Sequence, residues 1–349
     1  MDLYSRKMQR IGIIGGGQLG KMTAIAAYNL GFKVCVLAEK ENSPAIDVAR
    51  DYVVSPFLDR SGILNFVEHV DAITFESENI PTETLDLLHD KFDVPNTKAI
   101  KVAQDRFLEK EFLRKNGIPT TEYWYIEKEE DLDSVDFPAI LKTINGGYDG
   151  KGQFLLEDHD YVRREAGNLK FPLIAEKLFR ISKEFSIIVS RNETGSVCFP
   201  IAENVHVNGI LKTSSVPAVL PHHVALEIKN IGFQIADLLE IKGLLCVEFF
   251  LDEDNKLVVN EIAPRPHNSG HWSMDCCDID QFEELVLAIT GNKLKKPNLV
   301  VPCTMKNILG NEINTWKDLF LQKNVKLYNY GKEQPKILRK MGHINILHP

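Results

Sequence analysis

The stretch RIGIIGGGQLGKM, Arg10 to Met22, constrains the fold more than any other part of the chain. An apolar run ends in Gly15, Gly17 and Gly20, and a run of helical character follows. A strand that turns through glycines into a helix opens a βαβ unit, and the GxGxxG spacing is the fingerprint of a dinucleotide-binding turn. The segments downstream keep the alternation. GKMTAIAAYNLG predicts a helix, KVCVLA a strand, Ala45–Arg50 a helical stretch, YVVSP a strand, SGILNFVEHV a helix and AITFE a strand. Such alternation predicts a parallel, doubly wound sheet, whose ligands lie at the carboxyl ends of its strands. The glycine turn at 15–20 and FESENIP at 75–81 both fall at such ends.

At 349 residues the chain is long enough for more than one domain and a large core. A net charge of −8 argues against a nucleic-acid partner, which needs a basic face, but leaves room for a local basic pocket. No apolar run approaches the roughly 20 residues that span a bilayer, so no membrane partner is expected. The polar start MDLYSRKMQR lacks the apolar stretch of a secretory signal. Cys35, Cys198, Cys246, Cys276, Cys277 and Cys303 form no CxxC, which fits reduced thiols in a cytoplasmic protein.

The character changes after residue 95. NTKAIKVAQDRFLEKEFLRKNGIPTTEY reads as one charged helix stopped by Gly117 and Pro119. PAILKT predicts a strand running into a second glycine-rich stretch, NGGYDGKGQFLLE. PLIAEKLF, KEFSIIVSR and SVCFPIAENVHV predict further strands, and Ala225 to Glu240 a long amphipathic helix. GLLCVEFFLDEDNKLVVNEIAP predicts a hairpin, and the last residues a small mixed cap ending in RKMGHINI.

Four stretches carry chemistry. In the hairpin, a register that pairs Asp252 with Leu257 also sets Glu248 opposite Glu261. Two carboxylates facing each other repel, unless a divalent cation sits between them and shares nucleotide phosphates. A solvated pair of glutamates is the plain alternative. In LKTINGGYDGKGQ, Lys142 precedes Gly146, Gly147, Gly150 and Gly152, whose backbone N–H groups can approach phosphate oxygens, with Lys151 as a second point charge. The GK[ST] ending of a Walker A loop is missing. In AEKLFRISKEFSIIV, Glu176 and Lys177 end one strand and Glu184 opens the next, an arrangement able to line a nucleotide cleft and equally able to be a charged sheet edge. In NEIAPRPHNSGHW, Arg265, His267, Asn268 and His271 crowd a rigid loop directly after Glu261, which reads as a substrate or anion site. The HxxxH spacing has no glutamate and third ligand to make it a catalytic zinc site.

Taken in this order, these pieces resemble the ATP-grasp superfamily and, within it, the 5-(carboxyamino)imidazole ribonucleotide synthetases. The stretches that carry the resemblance are GIIGGGQLGKM, TFESENIP, AQDRFLEK, GGYDGKGQ, NEIAPRPHNSGHW and RKMGHIN, spread from residue 11 to residue 345. The resemblance implies an α/β and α+β protein: a doubly wound pre-ATP-grasp domain over 1–103, an ATP-grasp lid over 104–185, a larger ATP-grasp domain over 186–292 and a cap over 293–349. It implies a homodimer and an ATP-dependent carboxylation of 5-aminoimidazole ribonucleotide by bicarbonate, through carboxyphosphate, in purine biosynthesis. The product would pass to a separate mutase. ATP with two magnesium ions would be the cofactors.

Residue by residue, the resemblance places Arg106 and Lys142 on the ATP phosphates, with Gly147, Tyr148, Asp149, Gly150, Lys151, Gly152 and Gln153 closing over them. Glu176, Lys177, Leu178 and Phe179 would line the adenine, Glu184 would hold the ribose, and His206 would lie nearby. Glu248 and Glu261 would ligate magnesium, with Asn260 beside them. Arg265, His267 and Asn268 would position bicarbonate or carboxyphosphate and the aminoimidazole, shielded by Tyr148. Gln18, Leu19 and Glu76 would meet the aminoimidazole ribonucleotide, and Arg339 and Lys340 its phosphate.

Three other readings compete. One is a different ATP-grasp ligase, such as a formate-using ribonucleotide transformylase or an amino-acid ligase. A second is an NAD(P)-dependent oxidoreductase built on GxGxxG and Glu39, which leaves Glu248, Glu261 and the second glycine stretch without a role. The third is a non-catalytic nucleotide-binding regulator.

Overall fold

A computed structural model describes residues 9–89, 94–146, 152–158 and 170–349. Strands β1 (Arg10–Ile14), β2 (Lys33–Ala38), β3 (Asp51–Val54) and β4 (Ala72–Phe75) form a parallel sheet in the order β3-β2-β1-β4. Ile11, Ile13, Ile14, Val34, Val36 and Leu37 are all buried, as expected of a sheet covered on both faces. Helices Gln18–Asn29 and Arg60–Val67 make the crossovers. The second starts at Asp59, whose carboxylate accepts the Ser61 N–H at 3.0 Å and so caps the helix.

The charged stretch read as one helix is two, Thr97–Gln104 and Arg106–Lys115. Asp105 breaks it. Its backbone is extended and its carboxylate accepts the Leu108 N–H at 2.9 Å, a local bond that competes with helix continuation. The break places Arg106 at the first position of a new helix.

The segment expected to be the lid holds β5 (Tyr123–Ile126), β6 (Ala139–Thr143), β7 (Gln153–Leu156) and β8 (Leu173–Lys177), antiparallel in the order β5-β8-β6-β7 over a small core that includes Leu132, Leu141 and Leu173. The main sheet holds β9 (Lys183–Asn192), β10 (Gly195–Cys198), β11 (Ala202–Val207), β12 (Ile210–Val216), β13 (Gly243–Leu251), β14 (Leu257–Ala263), β15 (Cys303–Leu309), β16 (Val325–Asn329) and β17 (Lys340–Leu347). Its order is β14-β13-β9-β11-β12-β15-β17-β16, with β10 on β9. SVCFPIAENVHV is therefore two strands, interrupted around Pro200, which has no N–H for the ladder. The final strands form no sheet of their own: β15 pairs β12, and β17 and β16 follow.

Helix His222–Leu238 packs Val224, Ile228, Ile231 and Ile235 against this sheet. Helix Gln281–Ile289 lies against both the main sheet and helix Gln18–Asn29, which joins the first domain to the rest. All six cysteines are free, four of them buried. Among the described residues, no helix is long and apolar enough to cross a membrane.

Candidate active site

The hairpin β13–β14 is the floor of the site. Its tip register differs by one residue from the expected one: Leu257 pairs Leu251 rather than Asp252. Glu248 still faces Glu261, because the register shifts between Glu248 and Phe249 and leaves Asn260 as a bulge. Glu248 is buried and Glu261 exposed. Burial and then the Glu261 charge push the Glu248 carboxyl up to about 7. One ligand atom each from Glu248, Glu261 and His267 falls within a 4.8 Å spread.

His267 belongs to the same cluster. Its Nε2 lies 3.7 Å from Glu248, and its Nδ1 lies 2.8 Å from the Ser269 hydroxyl, which in turn accepts from Ser186 at 2.8 Å. Burial and then the Arg265 charge hold the imidazole well below its ordinary pKa, so it is neutral. His206 is the opposite case. Burial lowers its pKa, but the hydrogen bond to Glu184 and the Glu248 charge outweigh burial and raise it. Glu184, expected on a ribose, thus already holds His206 through one oxygen.

The lid side is built on Glu176. Its carboxylate takes Lys142 at 2.7 Å, Lys110 at 3.2 Å and the Thr121 hydroxyl at 2.7 Å. Burial opposes ionisation here, yet the two ammonium groups hold the carboxyl far below its usual range. Lys110 continues to the Asn260 carbonyl at 3.0 Å, so one lysine ties the lid to the bulge in the floor. Arg106 donates to the Thr143 carbonyl at 2.7 Å, at the end of the strand that carries Lys142. Glu109 is also buried, and burial pushes it up to about 8 against the pull of Lys110. Sequence reasoning missed Lys110 and Glu109. Lys110 sits one helical turn after Arg106, a spacing that could have found it.

In the segment expected to line the adenine, the side chains have partners of their own. The Glu176 carboxylate is spent on lysines, and Lys177 turns out to Glu122 and Asp136. Phe179 stacks on Phe250 with centroids 6.3 Å apart. Gly147, Tyr148, Asp149, Gly150 and Lys151 lie outside the described residues. Gly152 adopts φ +71°, where an added Cβ would stand 2.9 Å from the Thr143 hydroxyl, and Gln153 pairs with Lys142 in register.

In the loop after β14, Arg265 is gripped by Glu78, bidentately, with the NH2–Oε1 contact at 3.0 Å. Burial opposes ionisation of Glu78, but Arg265 lowers its pKa overall. Asn268 exchanges reciprocal amide bonds of 3.0 and 2.6 Å with Asn307 on β15. Neither Glu78 nor Asn307 was singled out by sequence. Gln104 holds the Glu78 segment by donating to the Glu78 carbonyl at 2.6 Å and the Ile80 carbonyl at 2.5 Å.

The N-terminal glycine turn has an internal occupant. The Glu76 carboxylate accepts the Gly17 N–H at 2.7 Å and the Gly20 N–H at 2.9 Å. A Cβ on Gly15 would come within 2.0 Å of Glu76, and one on Gly20 within 2.6 Å of the Gly15 carbonyl. A dinucleotide pyrophosphate would need those same amides at the helix N-terminus. The turn is shaped for Glu76, which removes the structural basis of the oxidoreductase reading. A cavity of about 600 Å³ beside the turn brings together Gln18, Glu76 and Arg339, with Lys40, Lys332 and Lys336 on its wall. Leu19 and Lys340 do not line it. Leu19 instead packs with Met22, Phe282 and Tyr330.

Three parts of the chain match known protein families. Residues 8–104 match the ribonucleotide synthetase pre-ATP-grasp domain, residues 111–282 the ATP-grasp domain, and residues 303–349 the C-terminal domain of phosphoribosylaminoimidazole carboxylase. The N5-carboxyaminoimidazole ribonucleotide synthase of Bacillus subtilis is 40% identical over 345 residues, covering 97% of this chain and 91% of that protein. A crystal structure of the Staphylococcus aureus synthetase complexed with ADP superposes with a TM-score of 0.92 at 38% identity, covering 97% of this chain and 93% of that one. The Aspergillus clavatus synthase, in complex with ADP and 5-aminoimidazole ribonucleotide, gives 0.91 at 28% identity, covering 98% of this chain and 94% of that one.

Proposed function

Because the chain belongs to the N5-carboxyaminoimidazole ribonucleotide synthase family, we propose that its carboxylate floor, its lysine-bearing lid and its glycine-turn cavity divide one reaction between them. The chain is a ligase that closes a carbon–nitrogen bond, making N5-carboxyaminoimidazole ribonucleotide in an ATP-dependent step of purine biosynthesis. The observation that carries the assignment of parts is the bulged hairpin. It sets Glu248 against Glu261 and offers the Asn260 carbonyl to Lys110 beside the lid lysine cluster.

Bicarbonate supplies the carbon in this reading. It is an anionic, resonance-stabilised and poor electrophile, so one of its oxygens first takes the γ-phosphoryl group of ATP, leaving ADP and carboxyphosphate. Carboxyphosphate releases phosphate and CO2 beside the exocyclic amine. The amine nitrogen bonds to the carbon and gives up a proton, and proximity favours capture over escape. Lys142 and Arg106 offset charge on the phosphates, and backbone from 176 to 179 receives the adenine. Arg265, His267 and Asn268 face the bicarbonate-derived group. The neutral His267 is able to take or give a hydrogen bond there without adding charge.

The Glu248–Glu261 pair fits magnesium: two hard oxygen donors, one of them buried and pushed up by the other's charge, lack only a cation to share. When bound with nucleotide, the ion neutralises charge on the phosphate oxygens. The cavity at Gln18, Glu76 and Arg339 takes the ribonucleotide, with Arg339 and Lys336 toward the phosphate.

ADP release from ATP, magnesium and bicarbonate should depend on added 5-aminoimidazole ribonucleotide. A folded, ATP-binding preparation that shows no such dependence would overturn the reading. Arg339→Ala should raise KM for the ribonucleotide about 10-fold, a loss equal to one charged hydrogen bond, and leave kcat within about twofold. An unchanged KM removes Arg339 from the phosphate site.

A further inference from the structure

Gln281 lies fourteen residues beyond His267 on a different element, and no part of its side chain reaches solvent. Its Oε1 accepts the His267 N–H at 2.9 Å, and its Nε2 donates to the His267 carbonyl at 2.9 Å. One side chain therefore satisfies both backbone polar groups of a single loop residue. We propose that Gln281 is the positioning residue for His267, gripping its backbone and so setting the direction in which the imidazole enters the site. The proposal rests on the reading of His267 as a group that faces the bicarbonate-derived substrate.

The support behind Gln281 is rigid. Its helix begins at Asp280, whose carboxylate accepts the Phe282 and Glu283 N–H groups at 2.7 and 2.9 Å, while Glu283 reaches back to the Asp280 N–H at 3.0 Å. The Gln281 N–H donates to Ser273, whose hydroxyl donates to the Gly270 carbonyl, so the helix start and the loop are tied a second time. Gly270 allows the approach, since a Cβ there would stand 3.1 Å from the Gln281 carboxamide and 2.1 Å from Ile188.

The remaining hydrogen on Nε2 points to His271 Nδ1 at 3.0 Å, which must then accept. His271 is neutral, its pKa pushed down by burial and by His343. The three polar contacts of the carboxamide thus agree on one orientation of the amide. The far side of His267 is fixed separately, by Ser269 at Nδ1. Backbone and ring are held from opposite ends, and Nε2 is what remains to face Glu248.

The test uses the full chain with Gln281→Met and Gln281→Glu. Gln281→Met keeps the shape and removes both bonds to His267. It should lower kcat for ribonucleotide-dependent ADP formation by about 10–100-fold, the usual loss for a group that aims a reacting residue, while KM for ATP stays within about twofold. Gln281→Glu should match it at pH 8, where the carboxylate repels the His267 carbonyl. It should gain on wild type as pH falls toward 6, where the acid form can donate. The His267 ring signals in NMR, identified with His267→Gln, should shift in both variants without substrate.

A kcat within twofold of wild type, a parallel loss of ATP binding, or unshifted ring signals would each overturn the proposal. If Gln281→Met fails to fold, the pH profile of Gln281→Glu decides. Wild-type enzyme that shows no ribonucleotide dependence would sink the functional reading instead, and the ring signals would still judge the positioning.

Discussion

Glu261→Gln should reduce turnover by about 10²–10³-fold and leave the fold intact. The scale is that of removing one group aimed at charge developing in a transition state. The position is exposed, so the change in stability should stay within about 0.5 kcal/mol. Glutamine keeps the shape and one acceptor oxygen but removes the charge that makes the pair a cation site. Glu248 should respond as well. Part of its rise to about 7 comes from Glu261, so its pKa should fall in the variant. Thermal shift with ATP and magnesium checks the assignment. Magnesium should add stabilisation to the ATP complex of wild type and add much less in Glu261→Gln. Equal gains, or unchanged turnover, would remove the residue from the metal site.

Glu176→Gln should cost the fold about 3–5 kcal/mol, the scale of breaking a buried ion pair by removing one partner. Two ammonium groups converge on this carboxylate, and the side chains are 2% exposed at Lys110, 11% at Lys142 and 5% at Glu176. Glutamine retains the Thr121 contact and removes the charge that Lys110 and Lys142 share. The sign of the pH dependence follows from the lowered carboxyl. A depressed folded-state pKa gives stability that is fully present above the ordinary carboxylate range and is lost as pH falls through the folded value. The gap in urea midpoint between wild type and variant should therefore be widest near neutral pH and narrow as pH drops below about 4.5. A gap that stays constant down to acid pH would mean that the charge is not what holds the cluster. Lys142 loses its anchor in the same variant, so KM for ATP should rise.

The parallel sheet was legible because alternation of strand and helix leaves few other arrangements. Its local breaks were less so. Asp105 splits an apparently continuous helix with one side-chain hydrogen bond, and no periodicity reports that. The opposition of Glu248 and Glu261 was anticipated from a register that is wrong at the tip and restored by the bulge. The glycine turn pointed to the right architecture, but not to Glu76, whose partnership with Gly17 spans 59 residues. The groups that sequence missed are also held by distant pairings, Arg265 with Glu78 across 187 residues and Asn268 with Asn307 across 39. Only the closed fold brings such partners together.

Strand β14 is one residue longer than its hairpin requires. Deleting Asn260 would leave a regular ladder with both glutamates still opposed, and would take away the carbonyl that receives Lys110. Length changes along this hairpin are therefore not equivalent. The exposed tip at Glu253–Lys256 can gain or lose residues as surface turns do, while four positions further on the residue count itself is fixed by a lysine on another element. Among chains of this architecture, the number of residues between the tip and the second glutamate should vary less than the tip does.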